Sequence, residues 1–328
     1  MNGLKLEHGF ALAVASTADK APFLAVVTGQ RAIALGDVVG RDFPSQLEAV
    51  FSDWDATLAA LLDAHKAGFP QPSPEKWLNF SYLRWHAPVS ARANLYCSAA
   101  NYRKQLIELI IARGGDPEID RLEISQRRPT AEKMVEKRSR QGEPYFFLRP
   151  TSTLAAPFAQ IAVPADEHQM DWELELGVVI GRRARNVSHE HALSYVAGYT
   201  ILNDLTDRSL IYRKDFAGAD WLRGKGMPDS MPAGPFLVPQ CFAPDIGTLR
   251  LRLWVGDDLM QDDLASDMII DVPRLIAYLS SRVELMPGDV IATGTPAGTG
   301  AERGTFLRRG DVVRAQIEGL GYQLNQMV

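Results

Sequence analysis

The chain is poor in cysteine: two thiols, Cys97 and Cys241, occur in 328 residues. Two thiols in unrelated contexts cannot build a disulfide scaffold, and a reducing, cytoplasmic compartment is the default for such a chain. No apolar run approaches the ~18 residues needed to span a bilayer, so no membrane partner is expected. Positive charge is not in excess either, with 35 Lys and Arg against 40 Asp and Glu, a net charge of −5. Nucleic-acid binders need a basic surface for the phosphates, so that partner class is excluded. Internal repeats and low-complexity tracts are also missing, which removes solenoids and disordered chains. Residues 10–16 form a small apolar run of the kind found in signal peptides. It is short, and Glu7 and His8 precede it where a basic region belongs, so an N-terminal strand is the favoured reading.

What the chain does contain is an ordinary globular balance, 46% apolar and 23% charged residues. Its length suggests about two domains. Residues 1–85 read as a small N-terminal unit. Two apolar runs, 10–15 and 23–28, flank a turn containing Lys20 and Pro22 and predict a hairpin. Leu47, Val50, Phe51, Trp54, Leu58, Leu61 and Leu62 recur at helical spacing over 44–67. Pro70, Pro72 and Pro74 mark the edge of this unit. In the second unit, 86–328, residues 109–146 are crowded with charge and offer little core, so a solvated helix or mobile insertion is expected. Beyond it come short β-like runs at 146–148, 173–180, 199–202, 249–255 and 290–293. Helices are expected at 188–197, with Ser188 as N-cap, and at 272–279. Strands and long helices do not alternate, which argues against a doubly wound sheet.

The chemistry concentrates in four segments. In Asp171-Trp-Glu-Leu-Glu-Leu-Gly177 the two-residue period of a strand puts Glu173 and Glu175 on one face and Leu174 and Leu176 on the other. Adjacent carboxylates repel, and a hard divalent cation would offset the repulsion. From this pair alone, an acidic solvent-facing strand is the commoner explanation. The run 199–204 ends in Asn203 and Asp204, followed by Arg208, and can complete a three-carboxylate site. Lys225 stands between Gly224 and Gly226, where a backbone can approach a ligand closely or simply form an exposed loop. Finally, 287–298 runs from a strand into a Gly/Thr/Pro turn whose amides and Thr295 hydroxyl could hold an anion. It lacks the Gly-Lys-Ser/Thr ending of a phosphate-binding P-loop.

Taken in order, these segments resemble the fumarylacetoacetate hydrolase family. The marks are Glu173/Glu175, Gly198-Tyr-Thr with Asn203-Asp204, Lys225, Gly234-Pro235, 285–289, Gly294-Thr-Pro296 and Gly310-Asp311. The resemblance runs from about residue 87 to the C-terminus. It implies an α+β fold, a β-rich mixed-sheet roll of the family's C-terminal type with a small N-terminal α/β domain, in a homodimer. It also implies one Mg²⁺ or Mn²⁺ held by Glu173, Glu175 and Asp204, and assigns Tyr102, Arg208, Gly294 and Thr295 to the substrate, with Lys225 beside them. The implied reaction is hydrolytic cleavage of a carbon–carbon bond in a 1,3-dicarbonyl or acylpyruvate-type 2-oxo acid, through a metal-stabilised enolate.

One family motif is altered. Family hydrolases carry Asn-Tyr-x-x-His-x-x-Glu, whose His and Glu activate water. Here the segment reads Asn101-Tyr-Arg-Lys-Gln-Leu-Ile-Glu108. Gln105 cannot take a proton at neutral pH. Three outcomes stay open: Glu108 is the sole base with Gln105 orienting water, the reaction is a decarboxylation or tautomerisation needing no activated water, or the protein binds dicarboxylates without turnover.

Overall fold

In the computed structural model, which describes residues 6–40, 43, 47–69, 76–113, 117–164, 168–213, 215, 218–243 and 245–328, the N-terminal apolar run lies in strand Leu6–Ser16. It pairs antiparallel with Phe23–Gly29, the predicted hairpin, and on its other edge with Arg84–His86. Arg31–Ala34 and Leu78–Asn79 complete a five-stranded sheet. Alternate side chains enter different cores: Phe10 and Leu12 one, Ala11 and Ala13 the other. The helical spacing of 44–67 is carried by two helices, Glu48–Phe51 and Trp54–Lys66. Asp53 breaks the run, because its carboxylate accepts the Ala56 amide and caps the second helix. Pro70, Pro72 and Pro74 lie outside the described residues.

The sheet that carries the chemistry has six strands. Their order is Val238–Pro239, Val196–Asn203, Leu174–Ile180, Val290–Ala292, Leu95–Ser98 and Phe146–Arg149. The Leu174–Ile180 strand is antiparallel to both neighbours, while Val290–Ala292 and Leu95–Ser98 run parallel. Its two faces do alternate as predicted: Leu174, Leu176, Val178 and Ile180 enter one core and Val179 the other. Neither face meets solvent, since every residue of the strand is buried. A third sheet, in the order Asp258–Leu264, Arg250–Val255, Val312–Ile317, Gly321–Met327 and Gln160–Ile161, packs beside it. The mixed sheets and scattered helices make an α+β fold.

One expectation is corrected and one is resolved between its two alternatives. The segment 188–197 is not an α-helix. It is a 3₁₀ turn, His189–Tyr195, and Ser188 makes no side-chain cap. Val196 and Ala197 belong instead to the next strand, where pairing with the 174–180 strand and burial outweigh a weak helical spacing. The charged stretch 109–146 is a docked helical layer. Helices Arg103–Arg113, Pro117–Asp120 and Ile124–Gln141 bury Leu106, Ile119, Ala131 and Val135. Their charges pair across the layer, Arg103 with Glu136 at 2.9 Å and Arg128 with Glu108 at 2.6 Å.

The N-terminal sheet is joined to the rest by main-chain bonds between Leu12 and Leu237, at 2.9 and 2.8 Å. Phe10 packs edge-on against Phe242, and Trp85 against Phe236. Among the described residues, no helix is long and apolar enough to cross a membrane.

Candidate metal centre and substrate cavity

Two neighbouring strands of the six-stranded sheet bring the carboxylates together. Glu173 and Glu175 stand at the start of the Leu174–Ile180 strand, and Asp204 follows the end of Val196–Asn203. The antiparallel register places Leu174 opposite Asn203, so the acidic ends of both strands coincide. Ligand oxygens of Glu173, Glu175 and Asp204 all lie within 4.8 Å of one another, and all three side chains are buried. The Asn203 carboxamide accepts the Glu173 amide at 3.0 Å and locks this corner.

Cations surround the cluster unevenly. The Lys225 Nζ donates to Glu173 at 2.7 Å, to Asp204, and to the Thr206 hydroxyl at 2.6 Å. Arg149 donates to Asp204, and Arg208 bridges Asp171 at 2.8 Å and Glu173. Burial alone would raise the Asp204 carboxyl, but Lys225 and Arg149 outweigh it and hold it below its ordinary value. Burial likewise opposes the Lys225 charge, yet Asp204 and Glu173 prevail and raise its pKa. Glu175 has no ion pair among the described residues. It accepts the Gly294 amide at 2.7 Å, and burial, with Asp204 and Glu173 beside it, pushes its carboxyl well above the usual range. Three hard oxygen donors, one of them without a cation, fit a divalent ion such as Mg²⁺ or Mn²⁺.

A cavity of about 380 Å³ opens over the cluster, within the size range of small-molecule sites. The sheet supplies its acidic floor. Phe147 and Trp221, stacked at 4.8 Å, form an aromatic wall, with the Trp221 indole donating to the Tyr145 hydroxyl. The helical layer supplies Gln105, Leu109 and Arg138.

The sequence-predicted residues divide accordingly. Gln105, Arg208, Lys225, Gly294 and Thr295 line the cavity with the three carboxylates. Gln105 keeps a buried side-chain oxygen without a hydrogen-bond partner. Tyr102 is fully buried outside the lining, and Glu108 is turned toward Arg128, also outside it. Lys225 is not in an open loop but ends a short helix, Trp221–Lys225. A side chain on Gly224 would meet Ile211 at 2.4 Å, so that glycine serves close packing of the chain on itself. The turn amides are similarly engaged: Gly294 serves Glu175, while the Thr295 hydroxyl donates to the Leu174 carbonyl and accepts from Gln261.

Residues that sequence reasoning passed over include Asp171, Arg149, Gln261 and Arg138. Asp171 was legible, because it sits two residues before Glu173 in the same strand-like alternation. Its carboxylate accepts the Gly300 and Ala301 amides as well as Arg208. Arg149 and Gln261 reach the site only through pairing of distant strands and carry no local signal.

Residues 94–328 match the family profile described as Fumarylacetoacetate (FAA) hydrolase C-terminal. The chain belongs to the fumarylacetoacetate hydrolase family. A protein of Burkholderia cenocepacia (strain HI2424), provisionally named a hydrolase, is 41% identical over 187 residues, or 56% of this chain and 65% of that relative. This chain thus spans less than two thirds of that relative's length. Among solved structures, maleylpyruvate hydrolase from Sphingobium sp. SYK-6 is 26% identical, with a TM-score of 0.71 over 97% of this chain and 99% of that one. Fumarylacetoacetate hydrolase from psychrophilic Exiguobacterium antarcticum gives the same identity, 26%, TM-score, 0.71, and coverage, 97% and 99%. The Sphingobium enzyme has also been solved with manganese(II) and pyruvate; that structure is 24% identical, with a TM-score of 0.70 over 97% and 98% of the two chains.

Proposed function

We propose that the protein is a divalent-metal-dependent hydrolase that cleaves a carbon–carbon bond of an acylpyruvate-type 2-oxo acid, releasing a carboxylic acid and pyruvate. The observation that carries this reading is the joint burial of Glu173, Glu175 and Asp204, oxygens within 4.8 Å, in the floor of a cavity. These three residues would hold Mg²⁺ or Mn²⁺, and the cation would supply a Lewis acid to the substrate. Lys225, protonated and buried, aims positive charge where negative charge develops as the bond breaks. Gln105 offers its unpartnered oxygen to a water hydrogen. Glu108, three residues on, takes the proton once its pair with Arg128 opens. The water oxygen adds to the acyl carbonyl carbon, the carbon–carbon bond breaks, and its electron pair stays with the pyruvate methylene, which becomes methyl by taking up the proton that Glu108 removed from water. The Sphingobium relative named maleylpyruvate hydrolase supports the substrate class, and its manganese–pyruvate complex supports the metal. The same reading takes 86–328 as the catalytic unit, 109–146 as its lid, 1–85 as a separate N-terminal domain, and the protein as a cytoplasmic homodimer.

The test is mass-spectrometric product analysis with an acylpyruvate panel and oxaloacetate, with Mg²⁺ and with chelator. Chelator-sensitive release of pyruvate and a carboxylic acid is expected, and Glu108→Gln should lower kcat by ~10²–10⁴. Loss of CO₂ from oxaloacetate, with every acylpyruvate intact, would replace hydrolysis with decarboxylation.

A further inference from the structure

Three cations line the cavity, and two of them are engaged. Lys225 is held by Glu173 and Asp204, and Arg208 by Asp171 and Glu173. The third, Arg138, projects from the Ile124–Gln141 helix and has neither an ion pair nor a side-chain hydrogen bond among the described residues. Its Nε–H is buried without an acceptor. Every other cation at this site has a carboxylate beside it. Burial, with no acidic neighbour to offset it, lowers the Arg138 pKa.

The main chain around Arg138 is held in place. Arg274 donates to the Ser139 carbonyl at 2.6 Å and to the Gly142 carbonyl at 3.3 Å, pinning the helix end one residue beyond Arg138. At Gly142 a Cβ would lie 2.7 Å from the Arg138 Cγ, so glycine leaves room for the arginine stem. The guanidinium thus stands on the helical wall of the cavity, while the carboxylate cluster occupies the sheet wall. A buried guanidinium N–H without a partner is unfavourable until an acceptor arrives, and a carboxylate matches its planar fork.

We infer that Arg138 is a specificity-determining residue that binds a second carboxylate, at the acyl end of the substrate remote from the 2-oxo acid group. The inference rests on the acylpyruvate reading and narrows it to acyl chains that end in a carboxylate. The cation at the sheet wall takes the 2-oxo acid end, the aromatic wall of Phe147 and Trp221 covers the chain, and the lid arginine reads the far terminus.

Binding to the Mn²⁺-loaded protein tests this without turnover. Calorimetric titrations compare 2-oxoglutarate with 2-oxopentanoate and 2-oxoadipate with 2-oxohexanoate, pairs that differ in the terminal carboxylate. Wild type is expected to prefer the dicarboxylate by about 10–100-fold in at least one pair, the usual weight of a charge-assisted hydrogen bond. Arg138→Gln should abolish that preference while leaving the neutral-ended acids within about twofold, because they carry no terminal carboxylate for Arg138 to meet. Arg138→Lys, which keeps the charge but loses the fork, should retain part of it and provides the reading should the Gln variant not fold. A preference that survives in both variants, or that wild type lacks in both pairs, overturns the assignment. Failure of the hydrolase reading is seen separately, as an Arg138-dependent preference with no pyruvate released from any acylpyruvate.

Discussion

Glu302 shows how one buried carboxyl can tie this region to pH. It sits in the short helix Gly300–Arg303, accepts the Gly298 amide at 2.7 Å, and leaves its second oxygen buried without a partner. Burial pushes its pKa from 4.5 to about 7, with Asp171 and Glu108 adding to the rise. The folded state therefore binds this proton more tightly than the unfolded chain. Stability from the group is full below the unfolded value of 4.5 and is lost as pH rises through about 7. Glu302→Gln should move the variant-minus-wild-type unfolding free energy by about 2 kcal/mol in the variant's favour between about pH 5 and about pH 9. Urea unfolding at both pH values measures this, and a pH-independent difference would leave Glu302 an ordinary carboxyl. Nothing around Glu302 in the sequence announces it. Glu173 and Glu175 were legible because strand alternation is local, whereas the burial of Glu302 depends on packing that one sequence does not specify.

At the scale of elements, the helical layer over the cavity is held from outside itself. The Ile124–Gln141 helix carries Pro129 in its interior, which removes one main-chain bond. Its C-terminal carbonyls are met by Arg274, whose own helix, Val272–Arg282, is capped by Asp271 accepting the Arg274 amide at 2.9 Å. A cation at a helix C-terminus satisfies free carbonyls and the helix dipole together. Arg274→Ala should raise amide exchange throughout 124–141 while the Leu174–Ile180 strand keeps its protection; exchange mass spectrometry reads both. Equal loss in strand and helix would mean that Arg274 supports the whole fold. The heavy charge of 109–146 suggested a solvated or mobile segment. The structure bears out the solvated helix, largely exposed along Ile124–Gln141, and shows that a few apolar positions, Ile119, Ala131 and Val135, dock it while Glu108 and Glu136 find arginines. Composition reports how little core a segment brings, but not whether its charges are paired.

For the whole molecule, the carboxylate cluster is a stored electrostatic cost. Four buried acids, Asp171, Glu173, Glu175 and Asp204, face three buried or half-buried cations, Arg149, Arg208 and Lys225. A divalent cation that binds only the folded chain should stabilise it by about 4 kcal/mol at a thousand times its Kd. A thermal scan should therefore show a rise in Tm with Mn²⁺ that chelator reverses and that Glu173→Ala removes. A Tm insensitive to Mn²⁺, Mg²⁺ and chelator would dismiss the metal assignment.

The order of motifs along the chain determined the family, the α+β class and the identity of the three candidate ligands. The motifs are local signals, namely two-residue alternation, a carboxylate at a strand end, and glycine-proline turns, and the ligand set is what the resemblance they carry implies. The tertiary structure alone decided that both faces of the 174–180 strand are buried and that Lys225 ends a helix. It also decided that the Gly294 amide serves Glu175, Glu108 faces Arg128, and Arg138 reaches the cavity unpaired. These facts depend on which distant segments meet, and pairing across the fold, rather than any property of a segment by itself, sets whether a charge is answered or left open.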